Sequence, residues 1–275
     1  MLYRVAILHL KLKIMAKKSN MEKIKRHLIT AKSMGANIAI LPSLFNVGPI
    51  FEYYKSRRLE KAVKNGAERI PGPVSEYLVA LAIDLGIFIL GGPILERAGP
   101  KVFLSSIAIS PRGIMLGKFR KMVREPMDSH VTAGKKPAML EIGRPIGILA
   151  ESEILYPEIA RTLTVKGAAC MIALPRISNR YRNIDKVATT RSMENGVPVV
   201  MVGGAAETQG RIIASIPSLV AMPNGDVEVL AEDDEDTLAI YNLELDDSNT
   251  LNLEDLERTS KMLYRAVRDR ASFLL

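Results

Sequence analysis

Short apolar segments alternate with amphipathic helical segments along most of the 275-residue chain. In the first half, the helical segment "NMEKIKRHLITAKSMG" lies between the apolar segments "YRVAILHL" and "ANIAILP". In the second half, the helical segment "YPEIARTLTVKG" lies between "PIGILA" and "AACMIALP". Strands that alternate with helices in this way predict an α/β fold in which helices cover a mixed sheet.

The alternation is not interrupted by a linker, a repeat or a low-complexity segment, so we expect a single domain over residues 1–275. The opening residues, "MLYRVAILHLKLK", return to a basic pattern, which predicts a first strand and not a signal peptide. Near the other end, "NLEDLERTSKMLYRAVRDR" begins acidic and ends basic, as a helix dipole favours. It predicts a C-terminal helix over residues 252–273.

Residue counts narrow the classes of function. No apolar segment approaches the roughly 20 residues that a transmembrane helix needs, so we expect no membrane partner and a cytoplasmic location. The single cysteine, Cys170, excludes an intramolecular disulfide and a cysteine-rich metal site. The histidines, His9, His27 and His130, are too scattered for a zinc site, and we expect neither a metal nor a cofactor.

The net charge is +8, and much of the excess lies in residues 11–32, "KLKIMAKKSNMEKIKRHLITAK". Such a segment can attract nucleic acid or an anionic surface. The more usual origin of such a segment is the solvated face of a helix. Because no nucleic-acid-binding motif accompanies the charge, we favour the helix face and expect no nucleic-acid partner.

Six segments resemble, in the same order, the motifs of one enzyme family. Residues 35–45, "GANIAILPSLF", are similar to "GADLVVLPELF", and residues 113–122, "GIMLGKFRKM", to a strand carrying "GKYRKIHL". Within residues 132–161, "IGILAESEILYPEIAR" is similar to "IGVAICYDLRFPELAR". The other segments are "IPGPVSEYLVALAIDLGIFILGG" (70–92), "TTRSMENGVPVVMVG" (189–203) and "SLVAMPNGDVEVLA" (218–231). The chain thus resembles the nitrilase superfamily of carbon–nitrogen hydrolases.

The resemblance implies a four-layer α-β-β-α sandwich. Members of the superfamily usually pair, so that two subunits form an eight-layer block. We therefore expect a homo-oligomer, a dimer or higher, whose shared surface includes the helix that begins near Tyr156.

The superfamily uses a glutamate base, a lysine and a cysteine nucleophile, and the resemblance locates all three positions. In "LPSLF" the base position holds Ser43, and in "KFRKM" the lysine is retained as Lys121. In "ILAESEILYPE" the nucleophile position holds Glu151, with Glu153 where an aspartate usually follows. A hydroxyl is no general base near neutral pH, and a carboxylate is a poor substitute for a thiolate. Conventional amidase or nitrilase activity is predicted to be absent.

A buried Lys121 without a partner would cost several kcal/mol. We therefore expect Glu151 to form an ion pair with Lys121; in the alternative, both groups are solvated on a rebuilt loop. Between Lys121 and Gly134 the chain is shorter than in the superfamily, which predicts a pocket more open to water. In this loop Glu125 or Asp128 can take the position of a second family glutamate.

Two further sets of residues are candidates for function. Cys170 lies within "AACMIALP", whose apolar neighbours predict a buried structural cysteine and not a displaced nucleophile. Four arginines follow that strand and can bind an anionic ligand, although surface solvation is the simpler explanation. They are Arg176, Arg180, Arg182 and Arg191.

We favour a nitrilase-superfamily homologue without conventional activity that binds a small ligand, a carboxylate or an amide, or a protein partner. A second interpretation is a hydrolase of non-peptide C–N bonds with an altered site that uses Glu151 and Lys121. A third is a structural subunit that pairs with an active relative.

Overall fold

The computed structural model describes residues 2–245 and 252–271, and within these ranges the strands form two sheets. The first sheet has the order β11-β10-β1-β2-β3-β4-β5, and β14 also pairs with β1. Its strands are β1 (Leu2–Lys13), β2 (Ile38–Ile40), β3 (Phe88–Ala98), β4 (Lys101–Ile109), β5 (Met115–Arg120), β10 (Gly204–Thr208), β11 (Arg211–Ile216) and β14 (Thr237–Glu244).

The second sheet has the order β13-β12-β9-β8-β7-β6. Its strands are β6 (Ala138–Ile142), β7 (Arg144–Ala150), β8 (Cys170–Leu174), β9 (Val199–Met201), β12 (Ser218–Ala221) and β13 (Val227–Ala231). The helices are α1 (Lys17–Ser33), α2 (Ile50–Tyr53), α3 (Ser56–Gly66), α4 (Pro73–Leu85), α5 (Pro157–Val165), α6 (Ile184–Asn195) and α7 (Leu253–Ala271). Short 3-10 turns lie at Pro126–Asp128, Glu151–Leu155 and Asn179–Tyr181.

The two sheets pack face to face, and helices cover their outer faces. In β1, Val5 and Ile7 belong to the apolar core between the sheets, which also contains Ile148 of β7. Their neighbours Ala6 and Leu8 pack on the other side, in the core that includes the α1 residues. Because successive strand residues point to opposite faces, a strand segment buried on both sides must be apolar throughout, as residues 5–8 of β1 are. The predicted four-layer α-β-β-α sandwich is confirmed.

Parallel pairing brings several strand ends to one edge of the sandwich. β7 and β8 run parallel in register from Ile146 opposite Cys170 to Ala150 opposite Leu174. The residues that follow these strands, Glu151 and Arg176 among them, therefore emerge side by side.

The last helix of the described chain is α7, which lies within the range 252–273 predicted for a C-terminal helix. No helix in the described ranges has the length and hydropathy needed to cross a membrane.

Candidate functional site

Glu151 stands where β7 turns into the 3-10 turn Glu151–Leu155, and its side chain is completely buried. Its backbone has φ 54°, a conformation that non-glycine residues adopt rarely and at a cost of about 1–3 kcal/mol. The neighbouring Glu153 supports the turn by accepting the backbone N–H of Ala150 at 2.9 Å and that of Met122 at 2.6 Å. The turn thus holds the Glu151 side chain toward the interior between the strand ends.

Both carboxylate oxygens of Glu151 accept hydrogen bonds from buried donors. Ser43, which follows β2, donates its hydroxyl to Oε1. Arg176, which follows β8, donates Nε to Oε2. Ser43, Glu151 and Arg176 are each at most 1% exposed, so these bonds are shielded from water. Charge-assisted hydrogen bonds of this kind are about twice as strong as neutral ones.

Lys121, directly after β5, has a different partner. Its Nζ donates to Asp128 Oδ2 at 2.7 Å, and Asp128 Oδ1 accepts from Arg176 Nη2 at 2.6 Å. Lys121 and Glu151 are not within 4.0 Å of each other as an ion pair in the described chain; Asp128 and Arg176 connect them. The expected direct pair is therefore wrong, because sequence comparison did not place Arg176 at this point. The solvated alternative is wrong too, since Lys121 is 2% exposed.

The short loop after Lys121 does not open the site, contrary to the expectation from its length. Its 3-10 turn places Asp128 inside, where it is 1% exposed. Glu125 accepts the hydroxyl of Tyr181 at 2.6 Å and lies 3.3 Å from Arg176 Nη1. The ring of Phe51 lies 4.4 Å from the Arg176 guanidinium. These contacts leave Lys121 and Asp128 buried beneath the short loop.

The charges shift the titration of the groups around them. Burial raises the pKa of Asp128, but Arg176 and Lys121 outweigh it, and the pKa lies below its ordinary value. Burial keeps the pKa of Glu153 above its ordinary value despite the two amide bonds. For Tyr181, burial and the hydrogen bond to Glu125 both raise the pKa. The neighbouring cations thus favour the ionised form of Asp128, and the Tyr181 phenol stays protonated.

The four candidate arginines divide into two kinds. Arg180 and Arg182 are exposed, in keeping with surface solvation. Arg191 is 8% exposed and donates to the carbonyls of Ile154 and Leu155, which fixes the turn after Glu151. Arg176 is 1% exposed and is the central cation of the site. The parallel neighbours β7 and β8 were the available signal for it, because residues that follow adjacent parallel strands meet.

Cys170 does not take part in the site. It lies in β8, is fully buried in the core between the sheets, and burial raises the pKa of its thiol to about 12. A thiol so far from ionisation is not a nucleophile near neutral pH. Within the described ranges, no three His, Cys, Asp or Glu side chains are arranged to hold a metal ion.

A small pocket of about 340 Å³ adjoins the closed site on the far side of Phe51. Its lining includes the apolar residues Phe51, Leu59 and Met127 and the cationic residues Lys55 and Arg180. The pocket therefore combines apolar side chains with positive charge.

Two face-to-face sheets and outer helices define the class of protein as an α-β-β-α sandwich, with a polar cluster at its strand ends. The sequence model of the carbon-nitrogen hydrolase family matches residues 4–252, and the chain belongs to this family. The Nitrilase of Pyrococcus abyssi (strain GE5 / Orsay) is 26% identical over 253 residues, 88% of this chain and 90% of that protein. Omega-amidase NIT2 of Homo sapiens is 22% identical over 252 residues, 87% of each chain.

Solved structures agree with the fold. A mutant of the Nesterenkonia AN1 amidase, from the nitrilase superfamily, superposes with a TM-score of 0.73 at 19% identity, over 94% of this chain and 96% of that chain. Another structure of that amidase, which covers 96% of this chain and 99% of its own, has the same TM-score and shows acrylamide added at its active-site cysteine.

Proposed function

We propose that this member of the carbon-nitrogen hydrolase family does not catalyse conventional amide or nitrile hydrolysis and instead binds a small ligand. The observation that supports the proposal is the state of Glu151, which is fully buried with a donor on each carboxylate oxygen. A nucleophile needs a free lone pair that points at the substrate. The hydrogen bonds from Arg176 and Ser43 occupy the carboxylate oxygens and make this group less nucleophilic.

The other two positions support the same conclusion. Ser43 donates to Glu151 and so acts as a hydrogen-bond donor where a base would have to accept a proton. Lys121 donates to Asp128, which neutralises the charge that would stabilise a developing oxyanion. The Nesterenkonia amidase reacts at a cysteine, whereas the single cysteine here, Cys170, lies within a core strand.

The ligand that the neighbouring pocket fits best is a small carboxylate. A volume of about 340 Å³ lies near the lower end of ligand pockets, roughly 300–1,000 Å³. Arg180 at its rim can bind a carboxylate in a bidentate manner, with Lys55 as a second cation. Phe51, which contacts Arg176, would couple the ligand to the closed site.

A direct test is a hydrolysis screen of the purified protein against amides, nitriles and carbamoyl compounds. We expect no turnover above buffer, because nucleophile and base are both engaged. Turnover that disappears in Glu151→Gln would overturn the proposal in favour of a hydrolase that uses Glu151 with Lys121.

The double variant Ser43→Glu/Glu151→Cys asks whether the scaffold alone can support the chemistry. It moves one carboxylate across a single hydrogen bond, so charge and volume in the pocket are nearly conserved. Any turnover gained by the double variant should persist when Cys170→Ser is added, since that thiol is in the core. The single variant Ser43→Glu, which lacks the new cysteine, should show no turnover.

Ligand binding is tested by thermal shift, because a ligand that binds only the folded state raises its apparent stability. Small carboxylates should raise Tm in the wild-type protein and in Arg182→Met, and less in Arg180→Met. Equal shifts in the two variants would exclude the pocket beside Phe51 as the site.

A structural role in an oligomer is a second candidate, favoured by exposed apolar side chains on and next to α5 and α6. These are Tyr156, Val165 and Met193, which are 38%, 36% and 52% exposed. Apolar side chains grouped on adjacent helices favour contact with another subunit.

A further inference from the structure

A groove of about 880 Å³ lies on the side of the sandwich where the two sheets end in β5 and β6. Among the residues that the structure describes, each of these is an edge strand with a strand partner on one side only. The segment from Thr132 to Pro137, which joins β5 to β6, forms a third wall, and Lys166 after α5 forms a fourth. The groove is within the size range of ligand sites, roughly 300–1,000 Å³.

The charged residues that line the groove are all positive. They are Lys101, Lys118, Arg120, Lys135, Lys136 and Lys166. A buried carboxylate behind the wall, Glu96, pairs with Lys118 at 2.6 Å and with Arg120 at 2.7 Å. The other four have no ion-pair partner within 4.0 Å among the residues that the structure describes. Like charges that line one groove repel one another, and a bound anion relieves the repulsion.

The groove also has an apolar, aromatic part. Phe103, Phe119 and Met139 contribute to its lining. The guanidinium of Arg120 lies over the Phe103 ring at 3.8 Å, which orders this side chain on the groove wall. A ligand suited to such a surface carries several negative charges at one end and a flat, apolar ring at the other.

The walls are fixed by backbone contacts and are therefore formed before a ligand binds. The N–H of Thr132 donates to the carbonyl of Val102 at 2.7 Å, and that of Gly134 to the carbonyl of Lys121 at 2.6 Å. A side chain at Gly134 would place its Cβ 2.3 Å from the backbone oxygen of Arg120. Only glycine allows this approach of the two segments, and a preformed site pays less ordering entropy on binding.

We propose that this groove binds a small phosphate-bearing ligand with an aromatic ring, of the nucleoside di- or triphosphate class. The phosphates contact the unpaired lysines, Lys135 and Lys136 among them, and the ring lies on the aromatic part near Phe119. The inference does not depend on the function proposed for the closed site. Arg120 and Lys121 are adjacent in sequence, but Arg120 pairs with Glu96 at the groove and Lys121 with Asp128 inside the sandwich.

The test is calorimetric titration of the full chain with ATP, with tripolyphosphate and adenosine as separate probes. ATP should bind saturably, tripolyphosphate should compete with it, and adenosine should bind far more weakly. In Lys135→Ala/Lys136→Ala the Kd for ATP should rise by about tenfold or more, because two charge-assisted contacts are lost.

The matched control is Lys18→Ala/Lys25→Ala, which removes the same charge from exposed positions of α1. Its Kd for ATP should stay within about twofold of the wild-type value, since long-range attraction is screened by salt. Unchanged Tm values in both variants establish that they are folded. The proposal is overturned if ATP does not bind at millimolar concentration, if both double variants lose affinity equally, or if adenosine binds as well as ATP.

Discussion

Arg176 is the cation that connects the buried site, because it donates to both Glu151 and Asp128 and lies over the ring of Phe51. Its pKa is lowered by burial but raised more by the surrounding carboxylates, so the guanidinium stays charged. A fully buried cation is tolerated only because these carboxylates form ion pairs with it.

Replacing this cation should be severely destabilising. In Arg176→Met the carboxylates of Glu151 and Asp128 lose a common partner inside the protein, and the free energy of unfolding should fall by about 3–5 kcal/mol. Urea denaturation followed by circular dichroism measures the loss. The control Arg180→Met, at an exposed position four residues on, should change stability by no more than about 0.5 kcal/mol. Equal effects would show that Arg176 is not a central partner.

Ser43→Ala isolates the hydrogen bond to Glu151. The variant removes one donor to a buried charge, and we expect a loss of about 1.5–3 kcal/mol in the free energy of unfolding. Glu151→Gln in the same background should then cost less than it does in the wild-type protein, because the two residues interact. Strictly additive losses in the double variant would argue against the bond.

Glu96 gives a residue-scale prediction for pH. Burial raises the pKa of Glu96, but hydrogen bonds from Arg120, Lys118 and Ser105 lower it to about 2, from an ordinary 4.5. A lowered folded-state pKa means that the stabilisation is complete above pH 4.5 and is lost as the pH falls toward 2. The difference between the ordinary and the folded-state pKa corresponds to about 3 kcal/mol in the free energy of unfolding.

The measurement is urea unfolding of wild-type protein and Glu96→Gln between neutral pH and pH 2. The two proteins should differ most at neutral pH and converge at low pH, since the variant lacks the titrating group. Glu141→Gln, at an exposed position of β6, serves as control and should follow the wild-type curve. A constant difference across the range would contradict the lowered pKa.

At the scale of elements, α6 holds the 3-10 turn that carries Glu151. Arg191 of α6 donates to the carbonyls of Ile154 and Leu155 and pairs with Glu194 at 2.8 Å. In Arg191→Met these carbonyls lose their hydrogen-bond donors. The free energy required to unfold the turn locally should therefore fall by about 1–3 kcal/mol. Hydrogen exchange of the amides in residues 151–155 should accelerate accordingly. Lys186→Met, exposed on the same helix, should leave that exchange unchanged.

Elements with strong local signals were predictable from the sequence, and elements that depend on tertiary contacts were not. The apolar strands β7 and β8 and the turn at Glu151 follow from pattern and motif. The conformation of residues 122–137 does not, because it is set by contacts such as Gly134 with Lys121 and by the filling of space by Phe51 and Arg176. For the same reason the predicted partner of Lys121 is wrong. Several carboxylates are candidates in the sequence, and tertiary contacts determine which of them lies beside Lys121.

At the scale of the whole molecule, we expect two copies to associate through α5 and α6. The substitution Met193→Asp places a charge among exposed apolar side chains and should shift the protein toward a monomer in light scattering coupled to gel filtration. Ile29→Asp is the control, because Ile29 is similarly exposed, at 47%, on α1 of the opposite outer layer. If both variants keep the wild-type mass, this pairing is wrong.

The backbone conformation at Glu151 has a consequence for the chemistry of this site. The φ of 54° at Glu151 and the two backbone N–H bonds accepted by Glu153 define the shape of the turn, and the side chain that it presents here is a carboxylate. The backbone of the turn therefore determines where residue 151 lies, and its side chain determines which chemistry is possible there.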